Sequence, residues 1–392
     1  MRAAPAGAAA NISVRYDADV VRNGGVAAAA APPQPSAPPL RCLELFSGIG
    51  GFRAALEAAA AARAPPGAPP VRLAITAVDV NAAANSTYAL NFGGERPPRA
   101  VSLEALDDGA LGALSGGSAL WLGGPPCQPF TRTQGARRRD VGDPRNAALL
   151  RLIAGLPRLD APPAAICLEN VAAFAGSETQ RLLHAALAAT GYGWAEVVRC
   201  PTAHGVPVRR ARYFLLASRA PGAGGRLAAA AAALEAAPPP ARRPLAAYLD
   251  PPSSTGGGGG RWAVPPALLG RYHRVFDVVT PDAPACNAFT KHYGAAAAGG
   301  SLLATHAFAA AHTVSDDRGR RFMPAAPPVA AAAEGLRLFT HAEIARLHGL
   351  PPSFAFPPET TDAQRYALLG NGLSVDVASA LLGVLLGDDA LS

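Results

Sequence analysis

Ala119-Leu120-Trp121-Leu122-Gly123-Gly124-Pro125-Pro126-Cys127-Gln128-Pro129-Phe130 is the stretch that orders the rest of the chain. Its apolar start has the length of a buried strand, and two consecutive prolines cannot extend a sheet ladder, so the chain must turn out where the strand stops. Cys127 is thereby left on a stiff loop at the carboxyl edge of a sheet, where open α/β folds gather their chemistry. Most cysteines are buried structural residues. Here Gln128, Thr131 and Arg132 follow, and such flanks predict a loop that faces water or a charged ligand rather than a core.

Ile166-Cys167-Leu168-Glu169-Asn170-Val171 repeats the pattern. An apolar run from Ala164 to Leu168 again reads as a strand that ends in polar side chains. Glutamate is rarely buried unless paired, so Glu169 is either solvated or set to meet a ligand. A neighbouring strand-end loop that carries Cys127 favours the ligand. Upstream, Leu43-Glu44-Leu45-Phe46-Ser47-Gly48-Ile49-Gly50-Gly51 reads as a strand, a glycine turn and a helix start. Gly48, Gly50 and Gly51 let the backbone bend tightly and approach a ligand at a helix N-terminus. Asp79 closes the next strand, placed to accept hydrogen bonds from a ribose. Such a loop is compatible with a dinucleotide or with a simple strand-to-helix turn, and spacing alone does not choose.

In order along the chain, these segments resemble the cytosine-C5 methyltransferases. The likeness runs from Leu40 onward: the glycine loop, Ala77-Val78-Asp79-Val80-Asn81, the Pro-Pro-Cys loop, Glu169-Asn170-Val171, Arg210-Ala211-Arg212-Tyr213-Phe214, Arg346-Leu347-His348-Gly349-Leu350-Pro351 and Leu369-Gly370-Asn371-Gly372. Within the family, Pro129-Phe130-Thr131-Arg132, Asp143-Pro144-Arg145-Asn146 and Phe289-Thr290-Lys291-His292-Tyr293-Gly294 are similar to the branch that acts on the anticodon loop of tRNA-Asp at position 38. Ala288 departs from that branch's usual cysteine, with Cys286 two positions early. Val208 stands where the wider family carries glutamine or asparagine.

The resemblance implies an α/β fold, a Rossmann-like doubly wound sheet of the S-adenosylmethionine-dependent kind with a smaller target-recognition domain. Cys127, Glu169, Arg210 and Arg212 are its catalytic set, the two arginines gripping the base O2 and a phosphate. S-adenosylmethionine is the implied cofactor. It would be held by Phe46, Ser47, Gly48, Ile49, Gly50, Gly51, Asp79, Val80, Leu103, Glu104, Gly124, Pro126 and Asn371, with Leu103 and Glu104 at the adenine edge. Gln128, Thr131, Arg132, Lys291 and Tyr293 are the expected RNA contacts. The last two sit in a mixture of cationic, hydroxyl and aromatic side chains suited to phosphate contact and stacking. A DNA cytosine methyltransferase is the first alternative, disfavoured because low-complexity segments leave few residues for reading a duplex. A nucleic-acid-binding protein without catalysis is the second, and the intact Cys127, Glu169, Arg210 and Arg212 argue against it.

Composition bounds this reading. The 392 residues carry a formal charge of +7, which suits a polyanionic partner through attraction to phosphate. Lys291 is the only lysine, so the positive charge is almost all arginine. Five cysteines without Cys-x-x-Cys spacing argue against a disulfide framework and a structural zinc, so no metal is expected, and a reducing compartment follows. Cytoplasm, with the nucleus, is the expected location. The alanine tracts are broken by Pro, Gly and Arg, so no membrane span is expected.

The expected layout is a disordered Ala/Pro-rich leader over 1–39, a catalytic and cofactor domain over 40–218, a small target-recognition domain over 219–350 and a return to the sheet over 351–392. Strands are predicted over 41–46, 71–78, 194–199 and 212–217. Helices are predicted over 51–56, 81–91, 177–190 and 375–386, with Ser177 and Gln180 forming a capping box. Residues 58–70 and 219–261 read as loose inserts. Trp121 and Trp194 are expected in the core.

Overall fold

The chain order of the central sheet explains why its loops meet. In the computed structural model, which describes residues 38–93, 97–131, 139–251, 260–295, 300–387 and 391, β1 (Leu40–Leu45), β2 (Leu73–Val78), β3 (Leu120–Gly123), β4 (Ala165–Val171), β5 (Gly193–Arg199) and β7 (Arg212–Ser218) form one sheet in the order β2-β1-β3-β4-β7-β5. The first four run parallel, so the loops after β1, β3 and β4 open on one edge. Chain order reverses between β1 and β3, the switch point at which open sheets bind ligands. The doubly wound expectation is met there, with one qualification: β7 runs antiparallel between β4 and β5.

Strict alternation covers both faces. Cys42, Leu120, Leu122, Cys167 and Phe214 point into one core, and Leu43, Leu45, Trp121, Ile166 and Leu215 into the other. Helix α1 (Gly51–Arg63) buries Phe52, Ala55, Leu56 and Ala59 and packs on the last helix, α12 (Val375–Leu385). Trp121 is in the core as expected and donates its indole N–H to Ser115 Oγ at 3.3 Å. Trp194 is only half-buried, stacked on His184.

The remaining helices are α2 (Ala82–Phe92), α3 (Asp108–Ser115), α4 (Ala147–Gly155), α5 (Glu178–Ala189), α6 (Ala223–Ala236), α7 (Pro266–Tyr272), α8 (His306–His312), α9 (Val329–Gly335), α10 (His341–Leu347) and α11 (Asp362–Asn371). Beyond β6 (Val208–Arg209), a smaller sheet places β8 (Asp277–Val279) and β11 (Leu336–Arg337) on either side of β10 (Ser301–Ala304). A two-residue strand, β9 (Cys286–Asn287), pairs with β6 through Val208 and Cys286. Val208, at one departure from the family pattern, thus lies beside the displaced Cys286, both buried.

Several expectations are corrected. The alanine-rich stretches at 58–63 and 223–236 are helical rather than loose, because alanine has the highest helix propensity of any residue. Gln180 does not complete a capping box. Ser177 Oγ accepts the Gln180 N–H at 3.0 Å, but Gln180 Oε1 takes the Gly176 N–H. Residues 362–385 do have the length and hydropathy of a membrane span. They form two helices, however, parted after Asn371, and the apolar face of the second is buried against α1. The leader and Arg132 lie outside the described residues.

Candidate active site

The loop after β1 is bent by backbone geometry that few residues tolerate. Phe46, Gly48 and Gly50 have φ of 55°, 53° and 88°. A positive φ is costly for a bulky side chain such as Phe46 and persists only where surroundings impose it. Gly50 has a second reason to be glycine: a Cβ there would stand 2.3 Å from the Phe92 ring. The bend is held from outside. Asp79 Oδ2 accepts the Gly48 N–H and Oδ1 the Asn81 N–H, both at 2.8 Å, and Ser47 N–H donates to Val78 O.

Beneath the loop lies Glu44, fully buried, accepting from Tyr88 Oη at 2.7 Å and from the Arg53 N–H in the first turn of α1. Burial pushes its carboxyl up to about 7, against the pull of those hydrogen bonds. Gly50 brings no side-chain cap to α1, and the Ser47 hydroxyl is buried without a partner. An open helix start beside an unpartnered hydroxyl suits a polar or anionic ligand group.

Cys127 and Glu169 come together because β3 and β4 are neighbours, with Gly123 opposite Leu168. The Asn170 side chain donates to Pro125 O at 3.3 Å, pinning the Pro-Pro-Cys loop to β4. The Cys127 carbonyl accepts from the Phe130 and Thr131 N–H groups. Phe130 is fully buried and packs edge-on against Phe174, so the tail of this loop is anchored in the core rather than wholly solvated.

Glu169 stands inside β4 opposite Phe214, and Arg212 stands opposite Val171. This diagonal spacing places Arg212 Nε 3.3 Å from Glu169 Oε1. Burial raises the Glu169 carboxyl above its ordinary range, opposed by Arg212 and then Arg210.

Arg210 is a correction. Its guanidinium is buried and donates to Phe289 O at 3.0 Å, to Gly370 O at 3.1 Å and to Gly372 O. Those bonds fasten three segments together and leave Nε as its unbonded donor. Burial lowers its pKa, with Arg212 adding to the effect. Tyr293 is a second correction. It is buried, donating from Oη to Ser301 O at 2.7 Å and accepting the Phe339 N–H at 2.9 Å, so it is not a stacking platform for RNA.

One cavity of about 260 Å³ gathers Phe46, Ser47, Gly48, Ile49 and Gly51 from the first loop, with Asp79 and Val80 after β2. Gly124, Pro126, Cys127 and Gln128, then Glu169, Arg210, Arg212 and Asn371, complete the expected residues around it. A second cavity of about 210 Å³ shares Phe46, Asp79, Val80 and Pro126, and adds Leu103 and Glu104. Gly50 stands behind this wall, on Phe92. Thr131 and Lys291 are exposed and line neither cavity.

Sequence reasoning missed Phe52, Asn81, Leu368, Gly370 and Leu373 in the first cavity and Arg145 in the second. For Gly370 the signal is present, since it stands beside Asn371 in the Leu369–Gly372 motif. His348 stands in the Arg346–Pro351 motif. Its imidazole is buried and pulled down to about 3, so it is neutral, and Nδ1 lies 3.0 Å from Leu373 O as a donor.

The C-5 cytosine-specific DNA methylase family model matches residues 40–223 and 290–386, the segments that build these walls. The chain belongs to this family. Among its relatives is a mouse protein named tRNA (cytosine(38)-C(5))-methyltransferase, 32% identical over 410 residues, covering 88% of this chain and 93% of the relative. The crystal structure of S. pombe Dnmt2 methyltransferase superposes with a TM-score of 0.67 at 28% identity, covering 89% and 98% of the two chains. The Entamoeba histolytica methyltransferase EhMeth gives 0.70 at 25%, with the same coverage. The chain is therefore a cytosine-C5 methylase by descent, and its intact cysteine–glutamate pair is that of an enzyme.

Proposed function

We propose that the protein methylates C5 of an anticodon-loop cytosine in tRNA, that of tRNA-Asp at position 38, using S-adenosylmethionine. One observation carries the reading: Cys127 and Glu169 share a cavity that continues, past Phe46 and Asp79, into a second. Several tRNA-named relatives, 31–32% identical over 88% of this chain, support tRNA over DNA, against a DNA-named relative that is 28% identical over the same share.

The residues fit the cofactor. Ser47 has an unsatisfied buried hydroxyl. The Asp79 carboxylate accepts two backbone bonds and keeps acceptor capacity for a ribose. Val101 and Leu103 give the second cavity an apolar wall for a flat ring. When bound, S-adenosylmethionine supplies the electrophilic methyl group.

The protein's own part is to make C5 reactive. The Cys127 sulfur bonds to C6, and the C5–C6 π pair then makes C5 an enamine carbon. Glu169, with its pKa raised by burial, keeps a proton to higher pH than a solvated carboxyl and shares it with N3 as charge builds there. Arg212 orients Glu169. Once C5 is methylated, its proton passes to solvent, the C5–H pair restores the C5–C6 double bond, and the Cys127 sulfur leaves with the C6–S pair as thiolate. The base must leave its stack to reach the cavity, which an unpaired loop base does at less cost than a duplex base.

The test incubates the protein with labelled S-adenosylmethionine and either total tRNA or duplex DNA. Label should enter tRNA, and Cys127→Ala should lower turnover by at least ~10³-fold while cofactor affinity persists. Undiminished turnover of the variant would overturn the mechanism, and labelling of DNA alone would overturn the substrate.

A further inference from the structure

A third cavity, of about 400 Å³, shares no lining residue with the two at the catalytic cleft. Helix α11 joins it to that cleft. Arg365, near its start, lines the third cavity, whereas Leu368, Gly370 and Asn371 line the catalytic one, and the six steps from 365 to 371 rise by about 9 Å.

The walls of this cavity are aromatic. Trp262 meets His341 edge-on at 4.9 Å, Phe354 meets Phe356 at 5.2 Å, and all four line the space. Trp262, Phe354 and Phe356 are only half-buried, so ring surface remains for a ligand. The rim is mixed in charge, with two arginines beside Asp250, which is itself held by Arg346. Arg261 lies over Trp262 at 5.1 Å and is paired with Asp362, while Arg365 lies over Phe356 at 5.8 Å.

Two polar atoms in these walls are buried without a hydrogen-bond partner, His341 Nε2 and Arg365 Nε. Buried polar atoms are nearly always satisfied, so each orphan calls for a partner from outside the chain. An apolar ligand would leave both unpaired, and a bare anion would make no use of the rings. A flat heteroaromatic ring with a polar edge and an attached phosphate uses the rings, both orphan atoms and the arginines together.

We propose that this cavity takes a second, unstacked nucleotide of the tRNA substrate, its base against Trp262 and Phe356, its polar edge at His341 Nε2 and its phosphate at Arg365. The proposal rests on tRNA being the substrate. His341 is neutral, because burial pulls its imidazole down to about 4, and a neutral ring nitrogen can serve a base edge. The site acts in binding and not in the methyl transfer, so its signature is a split between KM and kcat.

Steady-state methylation of a tRNA transcript by full-length Trp262→Ala, Trp262→Phe and Arg365→Ala tests this. Trp262→Ala should raise KM for tRNA about tenfold, within the range for removing a stacking ring, with kcat changed less than twofold. Trp262→Phe should recover most of the loss. Arg365→Ala should weaken tRNA binding and reduce the salt slope of log K by about one. Affinity for S-adenosylmethionine, measured on each variant, should match the unaltered protein and guards against misfolding. A cavity that holds only water leaves tRNA KM unmoved in Trp262→Ala, and that result overturns the site while leaving tRNA as substrate. Labelling of duplex DNA and not tRNA by the unaltered protein overturns the substrate reading, and the site with it.

Discussion

The two walls of the catalytic cleft are made in different ways. One wall is the carboxyl edge of β1 to β4, where each functional residue stands one to four positions past a strand or within it, and backbone hydrogen bonds to neighbouring strands set its place. The other is built where residues 289–291 cross the end of α11. Gly370 comes so near the chain that a Cβ would stand 2.2 Å from Lys291 N. No sheet register fixes that crossing. A buried guanidinium does, by taking carbonyls from both segments. The Arg-x-Arg motif therefore divides its bonds: Arg212 pairs with Glu169 at the cavity, and Arg210, which also lines it, ties the crossing segments together.

The division can be broken by exchanging the two residues for alanine. Arg210→Ala leaves three carbonyls without their donor, buried at Phe289 and half-buried at Gly370 and Gly372, each worth roughly 1–3 kcal/mol when unpaired. Urea unfolding should show a loss of at least about 3 kcal/mol. Arg212→Ala should cost under about 1 kcal/mol in the same experiment yet lower kcat more than its stability loss explains. Equal losses of stability would erase the distinction.

The sheet-built wall has its own sensitive point in Glu44. Its folded carboxyl is lifted to about 7 from an ordinary value near 4.5. A raised carboxyl pKa means the folded state binds more protons than the unfolded state between those values, so stability falls as pH rises from about 4.5 to 7. The fall should be on the order of 2–3 kcal/mol. Glu44→Gln should flatten that segment of the stability–pH curve, and an unchanged slope would assign the titration elsewhere.

Tyr293 gives the smallest effect. Tyr293→Phe removes the hydroxyl that serves Ser301 O and the Phe339 N–H, at about 1–2 kcal/mol. The affinity for tRNA should stay within twofold, and a larger change would return Tyr293 to the RNA surface.

The same contrast explains what could be read in the sequence. Cys127, Glu169 and Asp79 were legible because strand ends have short-range signatures: an apolar run followed by proline, glycine or a carboxylate. The roles of Arg210 and Tyr293 were not, because each is decided by partners about 80 to 160 residues away for the arginine and across the small sheet for the tyrosine. Arginine and tyrosine in a polar motif look like ligands for RNA whether they face it or not. The alanine tracts were misread for a different reason. Their monotony resembles low complexity, yet alanine at successive helical turns, as at Ala55 and Ala59 in α1, gives a smooth buried face.

That smooth face waits for its partner. Arg63 in α1 donates to Gly383 O in α12, 320 residues further along the chain, and Leu373, just before α12, lies over Gly51. At translation rates of about 5–20 residues per second, roughly 15 to 60 s separate the synthesis of these two helices. Until the second emerges, the glycine loop has no lid and the alanine stripe no cover. The N-terminal half of the cavity is thus made early and completed late, when α12 covers the apolar face of α1.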